Sequence, residues 1–256
     1  MLRVLIWEFG KLVRLRSVQI GLLAALVLPI LWAFAPGLRA QYGLELVSGW
    51  QVPALSLLTG MDFLFPFLTA MAAAEVLGSE VSMGTLKSVL LRPSPRSRLL
   101  GAKIMVVLAY PFILLLVSLA GSLLAGLPFG VGSFFGGTGL GEGSFAGVGQ
   151  ITPAGAFMEL LRAHVLAGVV LWPLSALAML YAVVFLSTTS AALAAVSTLL
   201  LMRLLIAFPA IQPFLLTSYL DLYIRPAAVG LGLPLLIIYT VGFALLALLI
   251  FERKDI

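Results

Sequence analysis

Between Arg16 and Arg39 the chain carries no charge at all, and uncharged runs of similar length recur to its end. A helix that crosses about 30 Å of hydrocarbon at about 1.5 Å per residue needs about 20 apolar residues. Six windows meet that requirement, at 18–35, 57–77, 104–127, 166–186, 191–208 and 229–251. The second holds Asp62 and Glu75 near its ends, and the sixth stops at Glu252-Arg253-Lys254-Asp255. Between the fourth and fifth, the polar run Ser187-Thr188-Thr189-Ser190 divides an apolar stretch too long for one crossing and reads as a tight turn. Hydrophobic residues make up 62% of the chain and charged ones 10%, against roughly 45–50% and about 25% in an average soluble domain. So little charge cannot clothe a water-facing surface. The expected fold class is an all-α polytopic membrane protein, with 1–256 forming one transmembrane domain.

Cytoplasmic loops are enriched in Lys and Arg, which sets the orientation. With both termini inside, Arg3, Lys11, Arg14, Arg16, Lys87, Arg92, Arg96, Arg98, Lys103, Arg253 and Lys254 fall on the cytoplasmic side. Only Arg39, Arg162 and Arg225 fall outside, while Arg203 lies within span five. The expectation is a multi-pass protein of the cell membrane with cytoplasmic N- and C-termini. Because these cations sit between apolar runs, they argue against nucleic acid as a partner and for the lipid bilayer.

Ala33-Phe34-Ala35 has the look of a signal-peptide cleavage site. The apolar run before it exceeds the about 7–15 residues of a signal core, and Pro36 follows directly, so the span is expected to be retained. Residues 1–16 read as a surface helix, with Leu2, Leu5, Ile6, Phe9, Leu12 and Val13 on one face and Arg3, Glu8, Lys11 and Arg14 on the other. Such a helix would lie along the inner leaflet; alternatively it serves only as a positively charged topology anchor.

Enzymatic and metal chemistry find few residues here. There is no cysteine and a single histidine, His164, so thiolate chemistry is excluded and zinc clusters or a Ser-His-Asp triad have almost nothing to draw on. No G-x-x-x-x-G-K-[ST] phosphate loop occurs, so the chain binds no nucleotide by that motif.

The segment 78–103 is both cationic and patterned. Gly84-Thr85 opens a short helix that carries Leu86, Val89 and Leu90, and Pro93 and Pro95 break it. An apolar-faced, structured element at the cytoplasmic surface suggests a docking element for a partner. The run E-x-x-x-G-T-L-K-x-x-L-x-R-P-x-x-R, from Glu80 to Arg96 with Lys103 following, resembles the segment after the second span in permease subunits of type-2 ABC exporters. The six-span order, the Ser/Thr turn, the Leu-Thr-Ser-Tyr-Leu-Asp stretch at 216–221 and the Phe-Glu-Arg-Lys-Asp-Ile tail at 251–256 extend the resemblance.

What the resemblance implies is a division of labour. The chain would pair with a second permease copy or paralogue and rest on separate ATP-binding cassette ATPase subunits, in a bacterial or archaeal membrane. ATP and Mg would be held by those subunits, with no cofactor on this chain, and an unidentified substrate would leave the cytoplasm. The short cytoplasmic helix would be the coupling contact, formed or braced by Glu80, Gly84, Thr85, Leu86, Pro93 and Arg96. The competing class is an ATP-independent secondary transporter or channel, which normally needs a relay of intramembrane acids. An intramembrane enzyme finds no supporting motif.

Charges within the spans cost about 2.5–3.5 kcal/mol each on insertion scales. Asp62 and Arg203 fall at similar depth in the outer half of spans two and five, so they either pair across helices or snorkel separately to the head groups. Residues 128–163 are expected to be an external Gly-rich loop of little regularity, followed by a short helix from Ala154 to Arg162. Phe129, Phe134, Phe135 and Phe145 are scattered through the loop, and Glu142 is its only charge. It would serve as a flap near the substrate exit or be a tolerated insertion. His164 is expected near the outer interface as a polar anchor. Pro111, Pro173 and Pro234 should bend spans three, four and six, as pivots or as fixed kinks.

Overall fold

The computed structural model describes residues 2–35, 46–86, 95–141, 145, 147, 149–225 and 229–254. Among these, six helical segments are long and apolar enough to cross a membrane: Arg16–Phe34, Gly49–Ser82, Arg96–Phe129, Pro153–Phe185, Thr188–Leu205 and Gly232–Arg253. The elements are α1 (Leu2–Leu12), α2 (Arg16–Phe34), α3 (Val52–Thr59), α4 (Phe65–Ser82), α5 (Arg96–Gly126), α6 (Pro153–Val170), α7 (Trp172–Phe185), α8 (Thr188–Leu205) and α9 (Val229–Arg253). Two short strands, β1 (Phe134–Phe135) and β2 (Gln150–Ile151), pair antiparallel.

The sequence explains where the helices break. Span two is a 3-10 turn, α3, a π turn at Gly60–Leu64 and α4 in series. Pro66 has no N–H to offer the carbonyl of residue 62, and the Phe65 N–H bonds instead to the Gly60 carbonyl, which widens the helix by one residue. Span four divides at Leu171 because Pro173 stands in the first turn of α7. Pro29, Pro111 and Pro234 lie inside α2, α5 and α9. The Ser/Thr turn is tight: Leu186 adopts φ 52° to end α7, and the Ser187 hydroxyl accepts from the Ser190 N–H at 3.5 Å to start α8.

Burial grades the helices from centre to rim. α4 is central, with Ala70, Ala72, Ala73 and Ala74 fully inside, small side chains that let neighbouring helices approach. α7 lies against α4, α8 and α9, while α5 packs on α2 and α6. The outward faces of α2, α8 and α9 carry Ile20, Leu23, Leu200, Leu201, Leu204, Ile238 and Leu245. Exposed aliphatic stripes of this kind suit lipid rather than water.

The Gly-rich region differs from the irregular loop that its composition suggests. Its described residues fold onto the helix ends: Gln51 Nε2 donates to the Gly137 carbonyl at 3.0 Å, Thr138 Oγ1 to Glu159 Oε2 at 2.6 Å, and Leu140 is fully buried. Glycine-rich backbone, with few side chains in the way, supplies carbonyls that the helix ends can bond directly. Glu142 lies outside the described residues. The expected short helix before span four is also not separate: Thr152 caps it by accepting from the Gly155 N–H, Pro153 starts it, and it continues unbroken to Val170.

Candidate functional site

One end of the bundle gathers α1, the turn after α4, the start of α5, the α7–α8 turn and the tail of α9. The ties begin with a buried ionic cluster. Lys103 of α5 is 0% exposed, and its Nζ donates to Glu8 Oε2 of α1 at 2.8 Å, to Glu80 Oε1 of α4 at 2.8 Å and to the Val76 carbonyl at 3.4 Å. Lys11 closes the ring, donating to Glu8 Oε1 at 3.1 Å and to Glu80 Oε1, while lying 3.4 Å from the centroid of the Trp7 ring. Two cations and two anions balance, so three helices are joined by a network with no net charge. Breaking one partner of such a network strands a buried charge, which makes it a rigid joint.

The cluster corrects the expected helical wheel of residues 1–16. Glu8 points inward and its side chain is 1% exposed, while Ile6, Trp7 and Val13 face outward. The inward row is Leu5, Glu8, Phe9 and Leu12, one helical face at the usual spacing. A second carboxylate works nearby: Glu75 Oε2 accepts from the Ser17 N–H at 3.0 Å, meeting the positive end of α2.

α4 ends in a turn. The Met83 N–H bonds to the Ser79 carbonyl and the Gly84 N–H to the Val81 carbonyl, each at 3.0 Å, and Gly84 takes φ +65°, the left-handed conformation that glycine adopts without strain. Residues 82–85 are exposed, with Met83 at 66%. Thr85 Oγ1 turns back to donate to the Glu80 carbonyl at 3.2 Å, and Leu86 is 2% exposed in the apolar core. Of the six residues expected at this contact, Gly84 and Thr85 are therefore at the surface, and Glu80 and Leu86 are inside. Pro93, together with Val89 and Leu90, lies outside the described residues. Arg96 begins α5 and donates from Nη1 to the Lys254 carbonyl at 3.0 Å. Lys254 in turn donates to the carbonyls of Val183 and Val184 at 2.7 and 2.6 Å, neutralising the negative end of α7.

The opposite end holds a cleft of about 570 Å³ between span two, the outer end of α8 and the segment after it. Asp62, exposed by the π turn, and Arg203 both line it, but among the described residues no ion pair joins them. Arg225 pairs instead with Asp221, Nη2 to Oδ2 at 2.9 Å. Burial and the charges of Asp62 and Asp221 hold the Tyr223 phenol above its usual range. His164, expected as a polar anchor near the outer interface, is 1% exposed within α6, with Nδ1 donating to the Leu160 carbonyl at 2.8 Å. Among the described residues no three His, Asp or Glu side chains converge as metal ligands would.

The ionic cluster is the feature that sequence reading misses. Glu80 was legible only through its motif, and Glu8, Lys11 and Lys103 each look like ordinary surface charges. The available signal is their count: two acids and two bases bordering apolar spans two and three and the N-terminal helix.

Comparison with known proteins adds the family. A family model described as ABC-2 family transporter protein matches residues 4–185, from the first turn of α1 to the end of α7. No curated protein matches the chain.

Proposed function

From its membership of the ABC-2 family of transporter proteins, we propose that this multi-pass membrane permease is driven by ATP hydrolysed on a separate subunit and moves its substrate out of the cytoplasm. The observation that carries the reading is the convergence of the exposed turn at Met83-Gly84-Thr85 with both chain ends on one face, cross-tied by the Glu8, Lys11, Glu80 and Lys103 cluster. That face takes the cytoplasmic side on the excess of Lys and Arg around it.

In this scheme the residues divide by burial. Gly84 and Thr85, with Met83, form the contact with an ATP-binding cassette subunit, which holds ATP and Mg. Glu80 and Leu86 brace it from inside, Arg96 ties it to the α9 tail, and Pro93 is counted with the same contact. A push on the turn enters α4 at Glu80. Since losing one partner of a buried ionic network costs about 3–5 kcal/mol, α1, α4 and α5 move together rather than slide past one another. Arg96 and Lys254 carry the same displacement to α7 and α9. A second permease, identical or a paralogue, completes the pathway, and α1 rides on the inner leaflet with Ile6, Trp7 and Val13 toward lipid.

The test is association. Met83→Glu introduces charge on an exposed side chain without disturbing the helix cap, so the permease should fold as before. Co-purification with its ATPase should fall about tenfold, with loss of stimulated hydrolysis, if the interface is apolar at its centre. Unchanged association and unchanged hydrolysis would remove the coupling role.

A further inference from the structure

The cleft at the end remote from the ionic cluster has no part in coupling, and we propose that it binds a zwitterionic group, with the ligand's cation toward Asp62 and its acidic group toward Arg203. Four charged side chains line it: Asp62, Asp221, Arg203 and Arg225. Asp221 and Arg225 neutralise each other at 2.9 Å, which leaves one carboxylate and one guanidinium without an ion-pair partner among the described residues. A purely cationic ligand would leave Arg203 uncompensated, and a purely anionic one would leave Asp62 so. A group bearing both charges satisfies both walls, and the lining stays neutral with it or without it.

Three further features fit a built site. Thr217 lines the cleft at 7% exposure, and its buried Oγ1 has no hydrogen-bond partner among the described residues. Buried hydroxyls are normally satisfied, so this orphaned oxygen is a polar group of the wall with a bond still to make. Second, Asp62 sits on the π turn, a geometry that departs from the α-helical ladder and turns this carboxylate outward; π turns recur at functional positions. Third, the roof is fixed. Ser218 Oγ donates to the Gln212 carbonyl at 2.7 Å, Tyr219 to the Pro213 carbonyl at 2.8 Å, and Tyr239 of α9 to the Phe214 carbonyl. The Leu-Thr-Ser-Tyr-Leu-Asp stretch at 216–221 thereby supplies the cleft's roof.

A zwitterionic head group can arrive on a bilayer lipid or on a water-borne molecule, and the two are separable. The inference deepens the permease reading by naming the chemistry met at the far end of the pathway. The experiment leaves out the ATPase, so its failure leaves coupling standing, and a failure of coupling leaves the cleft untouched. The full-length chain in maltoside detergent is titrated by calorimetry with phosphocholine, choline and inorganic phosphate. Native mass spectrometry follows its retention of short-chain phosphatidylcholine against phosphatidylglycerol.

The wild-type chain should bind a zwitterionic probe saturably, with choline and phosphate weaker by about tenfold or more. Asp62→Asn and Arg203→Gln should each weaken it by a similar factor, the value of one charge-assisted hydrogen bond. Thr217→Val should weaken it less. Binding of phosphocholine assigns a water-borne source, and retention of phosphatidylcholine alone assigns the bilayer; either supports the site. Absence of both, or choline or phosphatidylglycerol held as tightly as the zwitterions, overturns it. Should a charge variant fail to fold, selectivity among the wild-type probes decides alone.

Discussion

Lys103 illustrates how much a single residue carries in this fold. Its ammonium is inaccessible and holds two carboxylates from two other helices. Lys103→Met should therefore cost about 3–5 kcal/mol, because Glu80 is left facing Lys11 alone and Glu8 loses its shorter contact. Thermal unfolding in detergent checks this. Lys103→Met combined with Glu80→Met should cost clearly less than the two single losses added together, since the double change removes a cation and an anion at once. Additive losses would show that the four residues do not act as a network. The same residues mark the limit of sequence reading. A wheel of residues 1–16 sets Glu8 beside Arg3 because charge ordinarily faces water, and only the meeting with partners 69 and 95 positions away turns the α1 charges inward. His164 is buried where a polar anchor would reach water: a neighbouring carbonyl in its own helix satisfies Nδ1, while Nε2 is buried with no hydrogen-bond partner among the described residues.

Among the elements, span two departs most from a plain crossing. Gly78 of α4 approaches the start of α8 so closely that a Cβ there would come within 2.1 Å of Thr188 Oγ1 and 2.7 Å of its backbone nitrogen. Gly78→Leu should separate these helices at a cost of about 1–3 kcal/mol, read as a fall in unfolding temperature; Gly78→Ala should lose less. An unchanged melting temperature for both would mean that the close approach is not a fixed feature. The π turn offers a different experiment. Pro66→Ala restores an N–H that can bond to the residue-62 carbonyl and lets α3 and α4 join as one regular helix, which rotates Asp62 away from the cleft. Stability should hold within about 1 kcal/mol, while phosphocholine binding falls. Retained binding with a regular helix would detach the π turn from the cleft's function. Spans one, three and six are legible from uncharged length alone, since lipid imposes that length. The π turn is not, because it depends on one absent donor rather than on hydropathy. The folded Gly-rich cap is hidden too, as it is held by a backbone carbonyl at Gly137 and by a Thr138–Glu159 bond between residues 21 positions apart.

The two ends of the molecule are built differently. One end is bound together by charges that are buried and paired; the other is roofed by a Gly-rich cap and by a segment that leaves Asp62 and Arg203 facing a cleft. Six spans and membership of the ABC-2 family make the chain a membrane transport component, and the exposed turn at Met83 is where the proposed push would enter. The chain contains no cysteine, so a single introduced thiol can report the decisive contact without background. The most direct measurement is the labelling of Met83→Cys by a membrane-impermeant maleimide, in intact cells and in inverted vesicles with and without the partner ATPase. No labelling is expected from outside, with rapid labelling in stripped inverted vesicles and severalfold protection when the ATPase is returned. Labelling in intact cells, or a rate in inverted vesicles indifferent to the ATPase, would contradict it.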